Sequence, residues 1–135
     1  MAGSPPQPTQ IAVAVVERDG CYLVGQRPPG STLAGYWEFP GGKVEAGETV
    51  VQAAARECLE EAGLAVSVQA VYSTVDHEYK HGHLRLTFLA CKPLDRTAEP
   101  TPPYAWRPAA ELAELSFPPA NSAIVKQLLA AAACL

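Results

Sequence analysis

The stretch that decides the fold runs from Gly42 to Leu64 and reads GKVEAGETVVQAAARECLEEAGL. Its middle predicts an α-helix from about residue 49 to residue 62. Thr49 followed by Gln52 matches the capping box that starts many helices, and the alanines between the two ends have the highest intrinsic helix propensity. Gly63 suits the left-handed backbone conformation that commonly closes a helix. The stretch therefore carries its own start and stop signals.

One face of the predicted helix is acidic. Glu57, Glu60 and Glu61 are spaced i, i+3, i+4, and at about 100° per residue they share one side. Like charges at this spacing destabilise a helix by roughly 0.2–0.5 kcal/mol per pair, so a bound cation is expected to offset their repulsion. A divalent metal ion is the obvious candidate. The opposite face is expected to be buried through five apolar residues, which are Val51, Ala55, Cys58, Leu59 and Ala62.

The segment just before the helix adds oxygen donors. Residues 40–43, PGGK, are predicted to form a flexible loop that brings backbone carbonyls and one cation close to the acids, because glycine permits close approach and unusual backbone angles. Carboxylate and carbonyl oxygens favour Mg²⁺ or Mn²⁺, whereas Zn²⁺ prefers nitrogen and sulfur ligands. We therefore expect Mg²⁺ as the cofactor, with Mn²⁺ as an alternative.

The full spacing resembles the signature of the Nudix hydrolases. The shared pattern is Gly42, five residues, Glu48, seven residues, Arg56-Glu57, two residues, Glu60-Glu61, one residue and Gly63-Leu64. With the position that Cys58 occupies, the family pattern fixes nine positions over 23 residues, far beyond what chance offers in a chain of this length. Cys58 stands where the family usually has an aliphatic residue, but a buried free cysteine behaves as a small hydrophobe. The resemblance implies an α/β fold, the Nudix α/β/α sandwich with a mixed β-sheet between helices.

The resemblance also implies a role for each matching residue. Four groups are implied as metal ligands: the carboxylates of Glu57, Glu60 and Glu61 and the backbone carbonyl of Gly41. The arginine that matches Arg56 orients Glu57 through a charge-assisted hydrogen bond, and Glu48 is expected to be structural. The reaction is attack of water on a phosphorus within a nucleoside diphosphate linked to another group, which metal ions and a carboxylate base assist. Glu57, Glu60 and Arg56 are thus expected to be catalytic.

Two further stretches bear on the substrate. Residues 37–43, WEFPGGK, and 117–121, FPPAN, resemble MutT-type enzymes, the Nudix branch that hydrolyses 8-oxo-dGTP to the monophosphate and pyrophosphate. Phe39 in the first stretch is expected to contact substrate. In that branch the asparagine matching Asn121 hydrogen-bonds the oxidised guanine, since its amide offers both a donor and an acceptor. The alternative is that Asn121 caps the helix after it. Similar enzymes that act on pyrimidine triphosphates carry an aspartate there, which makes the asparagine informative.

Basic residues are the next candidates for substrate binding. Arg27, at the end of the second predicted strand, matches a substrate-contacting arginine of MutT-type proteins. Lys43, beside the two glycines, is placed to contact phosphate. For each, a solvated surface residue is the alternative. Another basic contact of the family is replaced here by Gly82, which bears on affinity and on purine preference.

The general base is left open by the sequence. MutT-type enzymes use a mobile-loop glutamate as an extra metal ligand or base, and counting back from Trp106 that place falls on Pro100. A one-residue loop insertion would bring Glu99 into it, and loops tolerate insertions. We therefore include Glu99 among the expected catalytic residues. If it is not used, Glu57 or a network of metal-bound water must supply the base.

Composition and charge narrow the partners. A chain of 135 residues holds one core comfortably. Its net charge of −4 and the lack of a basic stripe argue against polymeric nucleic acid. No membrane partner is expected, because no stretch reaches 18 consecutive apolar residues and no signal peptide pattern opens the chain. The four cysteines lack C-x-x-C spacing and are expected to stay reduced. We expect a cytoplasmic protein, a monomer or weak dimer, that binds a nucleotide.

The remaining elements fit one α/β domain. Residues 1–8 are polar and proline-rich and are expected to be a flexible tail, which leaves 9–135 as a single domain. Asp19-Gly20 is a strong hairpin signal. The other predicted elements are strands at 11–16, 22–27, 66–78 and 83–91, a proline-rich loop at 98–108 with a short strand at 104–107, and a second amphipathic helix at 120–133. The strand at 83–91 is expected to turn Leu84, Leu86 and Phe88 to one face.

Two classes of function are compatible with these patterns. The first is an active pyrophosphohydrolase that cleans the nucleotide pool, and the second is a Nudix module that binds without catalysis. Non-catalytic Nudix domains generally lose one or more metal carboxylates, whereas this chain keeps all three. Catalysis is therefore favoured. Within the enzymes, a broader (d)NTP pyrophosphatase preferring CTP or 5-methyl-dCTP is the alternative, and the metal motif alone leaves dinucleoside polyphosphates and ADP-ribose open.

Overall fold

The computed structural model describes residues 7–80 and 82–133, so most of the predicted tail at 1–8 lies outside the described residues. The described residues form seven strands and two α-helices. The strands are β1 (Thr9–Arg18), β2 (Cys21–Gln26), β3 (Trp37–Glu38), β4 (Gly41–Lys43), β5 (Val66–Tyr79), β6 (Gly82–Pro93) and β7 (Ala105–Pro108). The helices are α1 (Val50–Ala62) and α2 (Ser122–Ala133), and short 3₁₀ turns cover Ala109–Glu114 and Pro119–Asn121.

The strands form one mixed sheet. Their order is β3-β2-β1-β6-β5, with β4 paired to β1 and β7 paired to β2. β1 runs parallel to β6, from Thr9 opposite Leu84 to Val16 opposite Cys91, and antiparallel to β2 and β4. A parallel pair needs a crossover between its strands, and the chain from β2 to β5, which includes α1, supplies it. The mixed sheet predicted from the sequence is confirmed.

β1 shows why a helix is needed on each face of the sheet. Successive side chains of a strand point to opposite faces. Ala12, Ala14 and Val16 pack into the cluster that holds α1, whereas Val13 and Val15 pack into the cluster that holds α2. All five are buried. This two-sided burial confirms the α/β/α sandwich.

The local signals at α1 work as predicted. The Thr49 side chain accepts a hydrogen bond from the Gln52 N–H at 3.1 Å, and the Gln52 side chain accepts one from the Thr49 N–H at 2.9 Å. Gly63 closes the helix with φ 66°, and its N–H donates to the Leu59 carbonyl. The hairpin between β1 and β2 is also confirmed, because Asp19 and Gly20 both have positive φ as a tight two-residue turn requires.

The predicted buried face of α1 is partly wrong. Val51 and Leu59 are 45% and 54% exposed, and the buried residues are Ala53, Ala54, Cys58 and Ala62. The helix packs on a sheet face where β1 presents alanines, so small side chains meet the sheet and the larger apolar ones lie to the sides. Apolar periodicity locates the stripe but does not tell which part of it is closest to the sheet.

Two other segments differ from prediction. Residues 41–43 are not a flexible loop but the strand β4, which pairs with residues 11–13 of β1. The second helix begins at Ser122 instead of 120, because residues 119–121 form a 3₁₀ turn. The strand at 83–91 does turn Leu84, Leu86 and Phe88 toward one core cluster, as expected.

Candidate active site

Arg56 is the hub of the acidic face of α1. Its Nη1 donates to Glu57 Oε1 at 2.8 Å and to Glu60 Oε2 at 3.2 Å. Its Nε and Nη2 donate to the two oxygens of Glu48 at 2.7 and 3.0 Å. The expected hydrogen bond between Arg56 and Glu57 is therefore present. One guanidinium partly neutralises three carboxylates and fixes their side chains.

Glu48 has the geometry of a structural residue. It forms the paired, two-bond contact with Arg56 that guanidinium and carboxylate favour, and its Oε1 also accepts the Glu45 N–H at 3.0 Å. The Arg56 charge and these hydrogen bonds lower the pKa of Glu48 to about 2. Glu48 is thus ionised at neutral pH and engaged by Arg56.

β4 turns its backbone toward α1 at alternate residues. Gly42 lies opposite Ala12 in the register with β1, so the N–H and C=O of Gly42 point to β1. The N–H and C=O of Gly41 and Lys43 point the other way, toward α1. The Gly41 N–H accordingly donates to Glu61 Oε1 at 2.9 Å, and the Lys43 carbonyl accepts from Arg56 Nη2 at 3.1 Å. By the same register the Gly41 carbonyl lies on the α1 side of β4.

The two glycines are required for this close approach. A Cβ on Gly42 would lie 2.5 Å from the carboxyl carbon of Glu57, and a Cβ on Gly41 would lie 2.5 Å from the Ala12 carbonyl oxygen. Both distances are shorter than non-bonded contacts allow. Any side chain at position 42 would occupy the place of the Glu57 carboxylate.

The surroundings of the Glu61 carboxylate raise its pKa. Burial of the carboxylate raises its pKa, and the nearby charges of Glu57 and Glu38 raise it further, while hydrogen bonds from the Gly41 N–H and the Tyr104 hydroxyl act in the opposite direction. A nearby cation would favour the charged form. The residue as a whole is exposed, and its Oε1 is the oxygen that contacts both the Gly41 N–H and the Tyr104 hydroxyl.

The donors at this face fit a hard cation. Carboxylate oxygens of Glu57 and Glu61 and the backbone of Gly41 lie together, and oxygen donors are the preference of hard divalent ions. Over residues 7–80 and 82–133, however, no three His, Cys, Asp or Glu side chains form a finished metal-ligand group. The acids share one face as predicted, but Glu57 and Glu60 are turned to Arg56 and Glu61 to Gly41.

The two substrate-related stretches meet in space. The Phe39 and Phe117 rings stack with centroids 5.2 Å apart, and the Trp37 N–H donates to the Ser116 carbonyl at 2.8 Å. Phe39 is only 5% exposed, so little of its ring is free to stack on another group. It supports the surface that it forms with Phe117. The structure therefore brings residues 37–43 next to 117–121, although it does not test a contact with substrate.

Asn121 lies in the 3₁₀ turn directly before α2. Its backbone N–H donates to the Pro118 carbonyl at 2.9 Å, and the residue is partly exposed. Within the described ranges its side chain makes no capping hydrogen bond to the start of α2. The amide is thus available for another contact.

The remaining predicted residues have mixed placements. Arg27 Nη1 donates to Glu38 Oε2 at 2.7 Å, and Lys43 is exposed beside Gly41. Glu99 is 75% exposed and lies 3.6 Å from Arg18 Nη1. The structure therefore shows Glu99 in an ion pair with β1, and its part in the site stays a prediction.

Sequence reasoning missed two residues of this region, Glu38 and Tyr104. The Tyr104 hydroxyl donates to Glu38 Oε1 at 3.2 Å and lies 3.5 Å from Glu61 Oε1. Glu38 belongs to the WEFPGGK stretch, which was a usable signal. Tyr104 is one of two aromatic residues, with Trp106, in the proline-rich run at 98–108, and no local pattern shows where its hydroxyl points.

The fold and the acidic face define a Nudix enzyme, and comparison with known proteins agrees. The family model described as NUDIX domain matches residues 11–127, so the chain belongs to the Nudix family. The Escherichia coli K12 8-oxo-dGTP diphosphatase is 31% identical over 125 residues, covering 88% of this chain and 95% of the relative. The E. coli K12 CTP pyrophosphohydrolase is 49% identical over 59 residues, covering 44% of each.

A solved structure gives the particular branch. The chain is similar to a solved structure from a study of MutT of Aliivibrio salmonicida and Vibrio cholerae. The TM-score is 0.73 and the identity 31%, and the match covers 90% of this chain and 96% of that one. The chain is a MutT-type Nudix hydrolase, a nucleotide pyrophosphohydrolase of a family that generally uses divalent metal cations. In the described part of the chain, neither helix has the length and apolar character needed to cross a membrane.

Proposed function

We propose that this enzyme hydrolyses 8-oxo-dGTP to 8-oxo-dGMP and pyrophosphate with Mg²⁺, or alternatively Mn²⁺. Asn121 is the observation that carries the choice of base. It lies at the end of the segment whose Phe117 stacks on Phe39, and among the described residues its side-chain amide is not held by a hydrogen bond to the start of α2. An amide presents a donor and an acceptor together, as the edge of an oxidised guanine requires. The proposed enzyme is the domain of residues 9–135, a cytoplasmic monomer or weak dimer.

The metal ligands we propose are Glu57, Glu60 and Glu61 with the carbonyl of Gly41. All four supply oxygen, which favours Mg²⁺ and Mn²⁺ over softer ions. When bound, the ion would neutralise charge on the phosphate oxygens and make water more nucleophilic. Arg56 holds Glu57 and Glu60 on the same side of α1, and on binding the ion these carboxylates would turn from Arg56 toward it.

Glu57 is the better supported general base. Its carboxylate already lies against Gly42 beside the proposed ligands. Glu99, the second candidate, would first have to leave its ion pair with Arg18. A base must come within hydrogen-bond reach of the water that it deprotonates, and Glu57 needs the smaller rearrangement.

Four residues are proposed to hold the nucleotide. Lys43 is exposed directly after Gly42 and would contact phosphate, and Arg27 is held by a hydrogen bond to Glu38. Phe39, buried against Phe117, would form the wall of the base site. Asn121 would read the base. Phosphate contacts are common to all nucleotides, so discrimination must come from the last two.

A pyrimidine triphosphate is the second candidate substrate. The local match of 49% identity to a CTP pyrophosphohydrolase favours it. The basic contact that MutT-type enzymes have at the position of Gly82, the first residue of β6, is also missing. Both features concern the substrate and leave the proposed metal chemistry unchanged.

A nucleotide panel tests the proposal. Pyrophosphate release would be measured with 8-oxo-dGTP, dGTP, CTP and 5-methyl-dCTP at saturating Mg²⁺, and the nucleotide product would be identified by ion-exchange chromatography. We expect the highest kcat/KM with 8-oxo-dGTP and the monophosphate as product. Preference for CTP would move the assignment to the second candidate. Equal rates on all four, or release of orthophosphate, would contradict the proposed function.

A further inference from the structure

Tyr104 contacts two parts of the site. The metal face is the acidic side of α1 with Glu57, Glu60 and Glu61, and the substrate side is the region of Arg27, Glu38, Phe39 and Asn121. Tyr104 is a buried residue of the loop that leads into β7, and its hydroxyl reaches two carboxylates, Glu38 at 3.2 Å and Glu61 at 3.5 Å. Glu61 is held from another direction by the Gly41 N–H. The three residues come from separate parts of the chain, so the contact is made only by the complete fold.

A tyrosine hydroxyl has one proton to donate and faces two acceptors here. A tyrosine hydroxyl is protonated at neutral pH, and toward an ionised carboxylate, which can only accept, it acts as the donor. At 3.2 and 3.5 Å both contacts are longer than the usual O–H···O distance of about 2.5–3.0 Å. The one proton can therefore be donated to either of two carboxylates, Glu38 on the substrate side or Glu61 on the metal face.

The ring of Tyr104 is held in place by packing. A Cβ on Gly25 would lie 3.1 Å from the ring, so the absence of a side chain at position 25 makes room for it. The ring belongs to the core cluster that includes Leu23 and Ala62. A rigid ring fixes the direction in which the hydroxyl points, which is what a residue that orients another side chain needs.

The contact also reaches the substrate side. The Glu38 oxygen that does not face Tyr104 accepts the hydrogen bond from Arg27 at 2.7 Å. A continuous chain of hydrogen bonds thus runs from Arg27 through Glu38 and Tyr104 to Glu61. A change in the partners of Glu61 can alter how firmly Glu38 holds Arg27.

We propose that Tyr104 is a positioning residue that orients the Glu61 carboxylate for the metal ion and links it through Glu38 to Arg27. The inference rests on the proposed function, since Glu61 is taken as a metal ligand there. The signature stretch does not include Tyr104, which lies 43 residues after Glu61 in the sequence. Loss of a partner that orients a metal ligand typically weakens metal affinity by about 10- to 100-fold.

The test measures the Kd of Mn²⁺ for the nucleotide-free protein. Electron paramagnetic resonance reports the concentration of free Mn²⁺ during the titration. Tyr104→Phe keeps the ring and removes only the hydroxyl, so we expect its Kd for Mn²⁺ to rise about 10-fold. Tyr22→Phe is the matched control. Tyr22 is a buried tyrosine of the other core cluster, against which Tyr72 packs, and removal of its hydroxyl should leave the Mn²⁺ Kd unchanged. In a Glu61→Gln background, Tyr104→Phe should have no further effect.

The outcomes separate this inference from the proposed function. If the wild-type protein binds Mn²⁺ and hydrolyses nucleotides but Tyr104→Phe has the wild-type Kd, the positioning role is wrong and the function stands. If the wild type neither binds Mn²⁺ nor hydrolyses nucleotides, the proposed function is wrong and this inference falls with it. If Tyr104→Phe does not fold, Gly25→Ala replaces it, because its Cβ would push the ring and should weaken Mn²⁺ binding while the hydroxyl remains. An unchanged Kd in Gly25→Ala would then overturn the proposal.

Discussion

The metal face and the substrate side of the site are built in different ways. Glu57, Glu60 and Glu61 come from two turns of one helix, and Arg56 on the same helix holds the first two. The substrate side instead joins the end of β2, the segment around Phe39 and the turn before α2. A local sequence therefore specifies the phosphate chemistry, whereas the choice of base depends on how distant segments pack.

This difference implies that catalysis and specificity can be separated by mutation. Changes on α1 or β4 should affect all nucleotides alike, because every substrate presents the same phosphates. Changes on the substrate side should alter the ratio between nucleotides. The predictions that follow test whether the metal face behaves as one locally determined unit.

The largest effect is expected from removing one acid of α1. Glu61→Gln and Glu60→Gln should each lower kcat by on the order of 10²-fold or more, through lost metal-assisted stabilisation of charge in the transition state. Both residues are exposed, so thermal unfolding should remain near that of the wild type. Glu114→Gln, at an exposed glutamate in the 3₁₀ turn after β7, is the control and should keep full activity. Near-wild-type turnover in both α1 variants at saturating Mg²⁺ would refute the assignment.

A smaller effect is expected from filling the space beside Glu57. Gly42→Ala would place a Cβ 2.5 Å from the Glu57 carboxyl carbon, so that carboxylate must move. We expect kcat to fall by about 10-fold on every nucleotide, the range seen when the support of a metal ligand is disturbed. Steady-state kinetics on a purine and a pyrimidine triphosphate would check this. A selective loss on only one of them would show that β4 belongs to the substrate side.

The end of α1 should affect stability more than activity. Gly63 has φ 66°, and a side chain there would also meet Thr101 Oγ1 at 2.5 Å. Gly63→Val should destabilise the protein by over about 1 kcal/mol. Gly30→Val is the control, since Gly30 also has positive φ but has open space around it, and its loss should be smaller. A melting temperature for Gly63→Val equal to that of the wild type would disprove the cap.

The smallest effect concerns pH. The pKa of Glu48 is about 2 in the folded protein and lies below its ordinary value of 4.5. A lowered folded pKa stabilises the fold above the unfolded pKa, and this contribution is lost as the pH falls from about 4.5 toward 2. Glu48→Gln should therefore reduce the slope of melting temperature against pH in that window. If the variant shows the wild-type slope, the contact with Arg56 does not contribute to acid stability.

The parts of the fold that the sequence predicts best are those with local causes. The capping box at Thr49, the left-handed Gly63 and the Asp19-Gly20 turn each act within a few residues, and all three are present. The spacing of the acids on α1 is likewise a consequence of helix geometry. Such features need no knowledge of the rest of the chain.

The parts that the sequence does not predict depend on tertiary contacts. β4 contains two glycines, which are poor strand formers, and it is a strand because β1 pairs with it. The exposure of Val51 and Leu59 follows from how α1 lies on the sheet. Tyr104 contacts Glu38 across 66 residues of sequence, and no periodic pattern encodes such a contact.

The central claim is that the metal face acts on all nucleotides while Asn121 chooses among them. The most direct measurement is kcat/KM for 8-oxo-dGTP, dGTP and CTP in the wild type, Asn121→Ala and Glu61→Gln, with Ser122→Ala as the neighbouring control. Asn121→Ala should lose about 1–3 kcal/mol with 8-oxo-dGTP, or roughly 5- to 150-fold in kcat/KM, and spare slow hydrolysis of CTP. Glu61→Gln should lower all three values by the same factor. An equal loss on every nucleotide in Asn121→Ala, together with a lower melting temperature, would show that Asn121 is a helix cap and would contradict the account.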